Sequence, residues 1–168
     1  PHAAQVSFEG NSVCTQCHNP SGRADFPTLP KGIYDSAEHH FHPAESEGSE
    51  CVSCHMPARI YMVLDDRRDH SFKVPRPDLT ETLGVPNACN QCHTEQSAQW
   101  AAAQVDDWYG TEREANFAEI FAAGRQGLPE AESGLVGIAE DESQSAIVRA
   151  SALALLANYR LFASTRVV

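Results

Sequence analysis

Several things are scarce in this 168-residue chain, and each scarcity excludes something. No apolar run approaches the roughly 20 residues of a membrane-spanning helix, so no membrane span is expected. Positive charge is thin: 12 Lys and Arg stand against 23 Asp and Glu, a formal charge of −11. Nucleic acid and anionic lipid surfaces are poor partners for such a chain. There are only two methionines, Met56 and Met62. Pro1-His2-Ala3-Ala4 shows no basic region leading into an apolar stretch, so any export signal is expected to have been removed. Residues 1 to 95 contain hardly any periodic apolar stretch, which leaves them without the means to build a conventional core.

Cysteine is absent everywhere except in three copies of one pattern. These are Cys14-Thr15-Gln16-Cys17-His18, Cys51-Val52-Ser53-Cys54-His55 and Cys89-Asn90-Gln91-Cys92-His93. Cys-x-x-Cys-His is the pattern of covalent c-type haem attachment. Two thiols about one helical turn apart reach the two vinyl groups of one porphyrin, and the adjacent imidazole swings onto the iron. Three haems c are therefore expected, bound through Cys14, Cys17, Cys51, Cys54, Cys89 and Cys92. A zinc ribbon joins two Cys-x-x-Cys pairs and would strand the third. Disulfides across a two-residue gap constrain the unfolded chain least. Thioether attachment in bacteria and archaea takes place outside the cytoplasmic membrane, so a periplasmic or extracellular location is expected.

With His18, His55 and His93 as proximal ligands, five of the eight histidines remain: His2, His39, His40, His42 and His70. Five exceeds the three needed to close the opposite faces. Six-coordinate iron with histidine on both faces suits outer-sphere electron transfer. The motifs start at 14, 51 and 89, nearly equal intervals, and the segment reads as a loose repeat. His2 precedes the first motif by the same spacing as His39 precedes the second. That register assigns His2 to the first haem and His39 to the second; His70 breaks the spacing and is assigned to the third because no other histidine lies between the second and third motifs. The run His39-His40-Phe41-His42 leaves an alternative open, because residues three apart share a helix face and one of them can serve a different haem. Met56 follows its proximal histidine too closely to cross the porphyrin, and Met62 is expected to pack as an apolar residue. Arg67, Arg68, Lys73 and Arg76 surround His70 and are assigned either to haem propionates or to the acids Asp65, Asp66 and Asp69.

The fold class expected is mainly α with much irregular loop: a triheme segment over residues 1–95, then a small α-helical, HEAT-like domain over 96–168. Proline and glycine punctuate the first part, with one short strand at Arg59 to Leu64. Four helices are expected in the second. The first runs from Glu95 to Tyr109 and stops at Gly110; the next is capped by Thr111. A third starts near Pro129, weakened by Gly134 and Gly137, and a fourth begins at Glu142 or Ser143. Their alanine-leucine texture fits HEAT-like repeats or a plain helical cap. Trp100 and Trp108 are read as core residues.

The ordered series Cys51-Val52-Ser53-Cys54-His55-Met56-Pro57, Tyr61-Met62-Val63, Arg67-Arg68-Asp69-His70-Ser71-Phe72, Pro75-Arg76-Pro77-Asp78-Leu79 and Pro86-Asn87-Ala88-Cys89-Asn90-Gln91-Cys92-His93 resembles a group of exported multihaem c-type cytochromes. The resemblance covers about residues 1 to 110. It implies C-terminal HEAT or tetratricopeptide helices and a longer parent chain with further haem motifs upstream, of which this is the C-terminal part. It also implies a place in respiratory electron transfer, in some members near nitrite-reductase-like assemblies. The functional expectation is a haem wire between redox partner proteins, with identical subunits joined end to end into a filament as its more specific form. The alternative is a subunit or fragment of a multihaem oxyanion reductase.

Overall fold

The computed structural model describes residues 7–113 and 115–159. Among them the chain is mainly helical with one two-stranded sheet. It divides into two compact units, one of Pro1–Glu81 with Val85–Gly110 and one of Thr82–Gly84 with Thr111–Val168.

The first unit is built of short pieces. Helices α1 (Ser12–Thr15), α2 (Ala37–His40), α3 (Cys51–His55) and α5 (Cys89–Cys92) are each about one turn long. Only α4 (Asp78–Leu83) and α6 (Ala98–Tyr109) are longer. Isolated helices this short are not stable in water, so contacts beyond the turn must hold them. The buried apolar residues here are Pro57, Pro77, Leu79, Ala101, Ala102 and Val105, mostly small. Ser97 caps α6 by accepting from Trp100 N at 3.0 Å, three residues inside the expected start. Gly110 ends it with φ 81°, a conformation L side chains rarely adopt.

The expected single strand is a hairpin. Strand β1 (Ala58–Tyr61) pairs antiparallel with β2 (Asp65–Arg68), Tyr61 opposite Asp65. Met62 and Val63 turn the chain with φ of 51° and 67°, a costly choice for a β-branched residue. The acid-and-arginine sequence of β2 hides its pairing, since nothing in it alternates apolar with polar. Met62 is 72% exposed at the tip, not packed as expected.

The second unit holds α7 (Phe117–Arg125), α8 (Ala131–Glu140) and α9 (Ala146–Leu156). Phe121, Ala131, Leu135, Ala152 and Tyr159 form its core, with Phe117, Ile120, Val148 and Leu155 packed around them. Gly134 explains itself in this packing: a Cβ there would lie 2.8 Å from Ile120 Cδ1, so the missing side chain admits close approach of α7 to α8. Two helix starts differ from expectation. Asn116, not Thr111, caps α7, accepting from Ala118 N at 2.8 Å. The fourth helix starts at Ala146 because Asp141 captures the Ser143 N–H, the Ser143 hydroxyl and the Gln144 amide in a turn of its own.

Candidate functional site

The three motifs sit on three similar turns. His18 N donates to Cys14 O and His93 N to Cys89 O, each at 2.9 Å, so one helical turn gathers both cysteines and the histidine. The third example, α3, runs from Cys51 to His55. Asn11 ties the first motif to the second. Its carbonyl accepts from Cys51 N at 2.8 Å while its amide donates to Ser49 O at 2.9 Å and Asp35 Oδ1 at 2.7 Å.

The thiols are neighbours in chain order. Burial pushes the Cys51 thiol up to about 11, and the Cys14 thiol beside it adds to the shift. Cys54 is raised by burial and by the sulfurs of Cys89 and Cys92; Cys89 is raised chiefly by burial. All six cysteines are free. The first motif thus borders the second, and the second borders the third.

Among the described residues, every hydrogen bond to a histidine ring goes through Nδ1. His18 Nδ1 lies 3.2 Å from Pro30 O, His55 Nδ1 2.8 Å from Lys73 O and His70 Nδ1 2.9 Å from Arg68 O. His42 Nδ1 meets His40 O, and His39 Nδ1 is 3.3 Å from the Tyr109 hydroxyl. A donor at Nδ1 puts the lone pair on Nε2. This is the arrangement of a metal-ligating imidazole, whose other nitrogen donates to a carbonyl or similar acceptor. His40 has the opposite sense: its Nδ1 accepts from His42 N at 3.2 Å, which leaves the proton on Nε2. It is therefore unsuited to bind iron through Nε2.

Two histidine pairs lie close together. The rings of His39 and His55 have centroids 6.2 Å apart and planes 3° apart; those of His42 and His93 are 6.1 Å and 37° apart. Imidazole nitrogens bind such metals at about 2 Å, so two imidazoles on opposite sides of one ion place their ring centres about 6 Å apart. Both pairs match that spacing. Among the described residues no cluster of three or more His, Cys, Asp or Glu side chains converges as a metal site, so each pair stands as a two-ligand set. A haem, which supplies four equatorial nitrogens of its own, fits such a set. Burial, with the neighbouring His55 and His40, lowers the His39 pKa and favours the neutral, ligating form.

The pairing depends on Phe41. Helix α2 stops at His40, and Phe41 takes the left-handed region with φ 55°. Its ring stacks on Trp108 at 4.7 Å and meets Tyr109 edge-on at 5.7 Å. The chain thereby leaves the helix between the two histidines, sending His39 to the second motif and His42 to the third. Gly48 makes room: a Cβ there would lie 2.2 Å from His42 Cδ2.

His70, assigned to the third motif as the histidine between the second and third, is placed differently. It is exposed beside Phe72, and with Arg59, Tyr61, Arg67 and Arg68 it lines a hollow of about 430 Å³. The nearby cations engage acids more than empty space. Arg67 pairs with Asp65 at 2.8 Å, Lys73 with Asp69 at 2.9 Å and Arg76 with Asp78 at 2.7 Å. Arg68 reaches back 3.3 Å to Val52 O and 3.4 Å to Met56 O at the end of α3. Beside His18 stands the Tyr34 ring, at 6.3 Å and 76°. His2, expected to complete the first site, lies outside the described residues.

Sequence reasoning missed the residues that hold the imidazoles. Tyr34, Phe41, Gly48 and Tyr109 carry no motif, and Tyr109 comes 70 positions after His39. Trp100 and Trp108 are only half-buried: Trp100 lies 5.0 Å from His93, and Trp108 6.1 Å from His42, so they pack on candidate ligands and not in a core. No described helix is long and apolar enough to cross a membrane. Compared with known proteins, the sequence matches no family model, no curated protein and no solved structure, so the site is argued from its own geometry.

Proposed function

We propose that the chain is an exported electron-transfer protein carrying three covalent haems c. Cys14 and Cys17, Cys51 and Cys54, and Cys89 and Cys92 hold the porphyrins; His18, His55 and His93 are the proximal ligands. His39 is the distal ligand of the second haem and His42 that of the third. The observation that carries this reading is the two histidine pairs with ring centres 6.2 and 6.1 Å apart, each containing one motif histidine. Bound there, the haem iron supplies a one-electron couple. The polypeptide would hold the imidazole lone pairs in place and keep successive motifs adjacent.

With two histidines to hold each haem, the second and third sites would favour passing electrons over binding substrate. Redox partner proteins are the implied donors and acceptors, in the periplasm or outside the cell. In the filament form of this reading, copies join end to end. The exposed His70, with its lone pair on Nε2, is then available to a neighbouring copy.

The test is to mature the exported protein with haem and measure the alkaline pyridine haemochrome, metal content and ferric spectrum. Three haems per chain with low-spin iron is the expected result. Zinc without haem, or high-spin iron at the second and third sites, would overturn it. The reductase reading rests on His18, beside which the ring found among the described residues is that of Tyr34. Nitrite or carbon monoxide binding at one iron of three would favour it.

A further inference from the structure

We infer that Tyr109 is the positioning residue of the second haem, its phenol oxygen taking the Nδ1 proton of His39 and fixing the imidazole plane that faces His55. The inference rests on the proposed haem reading and adds a residue that lies in none of the motifs.

The hydrogen-bond directions leave one consistent arrangement. The Tyr109 hydroxyl donates its own proton to the His39 carbonyl. Its oxygen lone pairs then remain for His39 Nδ1–H, 3.3 Å away. One phenol thus grips the backbone and the ring of the same residue. A hydroxyl that donates elsewhere is polarised into a better acceptor, so the two bonds support each other. Two aromatic edges complete the clamp: Tyr109 meets the His39 ring at 6.2 Å and 70°, and Tyr34 meets it at 5.1 Å and 68°. The result is a ring held 3° from the plane of His55.

The third site is held by different means. His42 uses the backbone carbonyl of His40, two residues away, and its ring lies 37° from that of His93. A local carbonyl orients one imidazole, and a remote phenol orients the other. Helix α6 delivers that phenol from its last residue, just before Gly110 halts it. Hydrogen bonding to Nδ1–H makes an imidazole a stronger donor to its metal. Stronger donation favours ferric iron, so Tyr109 holds the second haem at a lower potential than an unassisted imidazole would.

The experiment compares wild-type holoprotein with Tyr109→Phe, which keeps the ring and removes only the hydroxyl, and with Tyr61→Phe, a change on the hairpin. Haem content, electron paramagnetic resonance of the ferric protein and a spectroelectrochemical titration are the readouts. In Tyr109→Phe, three haems are expected to remain, one of three low-spin signals to move, and one ferric/ferrous equilibrium to shift toward ferrous by about tenfold, about 59 mV for one electron. Tyr61→Phe is expected to change none of these. Full haem content with all three signals and potentials unmoved in Tyr109→Phe would overturn the inference. Should Tyr109→Phe fail to fold, hydrogen exchange in the ferrous wild type labelled with 15N-histidine decides: a protected Nδ1–H on His39 supports the clamp, and rapid exchange overturns it. A wild type without haem removes the underlying reading too, and is recognised by its missing haemochrome.

Discussion

The two units of this protein reach order by different routes. In the second, three helices of nine to eleven residues bury Phe121, Leu135 and Tyr159 among other apolar side chains. Its stability follows from ordinary burial, at about 25 cal/mol per Å² of apolar surface. In the first, the buried apolar side chains are one leucine, one valine, two alanines and two prolines, while six cysteines and seven described histidines line its turns. Side chains suffice for one region; the other carries its binding chemistry where a core would be. The contrast teaches that a long ordered stretch need not be self-sufficient.

In the triheme reading the largest effect should come from withholding haem. Protein produced without haem attachment is expected to lose protection from proteolysis over residues 7–110 while 117–159 stays resistant, read by mass spectrometry of the fragments. Equal resistance of both regions would break the comparison.

Next comes Gly48→Ala, which places a methyl group where His42 sits. The expected outcome is displacement of His42 and a high-spin signal from one iron of three, with thermal unfolding of the second unit unchanged. Leu135→Ala is its mirror image. Leu135 is wholly buried, and its truncation should cost the second unit about 2–5 kcal/mol in denaturant unfolding with the haem spectrum intact.

The smallest effect concerns pH. Asp141 is held below the usual aspartate range, first by the Ser143 hydroxyl, then by the Ser143 N–H and Gln144. A carboxylate whose pKa is depressed on folding stabilises the fold above its unfolded value, about 3.9, and that contribution fades as pH falls through the folded value. The difference in melting temperature between wild type and Asp141→Ala should therefore be present at pH 7, begin to shrink below pH of about 4, and be lost only as pH falls through the folded value.

Much of the site is legible in the sequence where its signal is local. Cys-x-x-Cys-His marks three turns because the chemistry demands fixed spacing, and His39 falls in register with the second motif. The partner of His93 is not legible by spacing. His70 is the only histidine between the second and third motifs, yet His42, some 50 positions before His93, is the ring that faces it. That outcome depends on Phe41 adopting a left-handed backbone, which stacking on Trp108 supports and no local preference announces. Helices are legible where apolar spacing is strong and blurred at their starts, because Asn116 and the turn around Asp141 compete with the residues expected to cap. The hairpin was half visible, since only β1 carries apolar residues.

The shortness of the link between His39 and His42 has a mechanical consequence. Three residues of chain span at most about 11 Å, so in the triheme reading the second and third irons are leashed to one another by covalent bonds. Thermal breathing can loosen packed surfaces, but it cannot lengthen a leash. The gap an electron must cross between these two centres is then bounded by bond lengths and the few torsions between His39 and His42, and should stay nearly constant up to the temperature at which the unit itself comes apart.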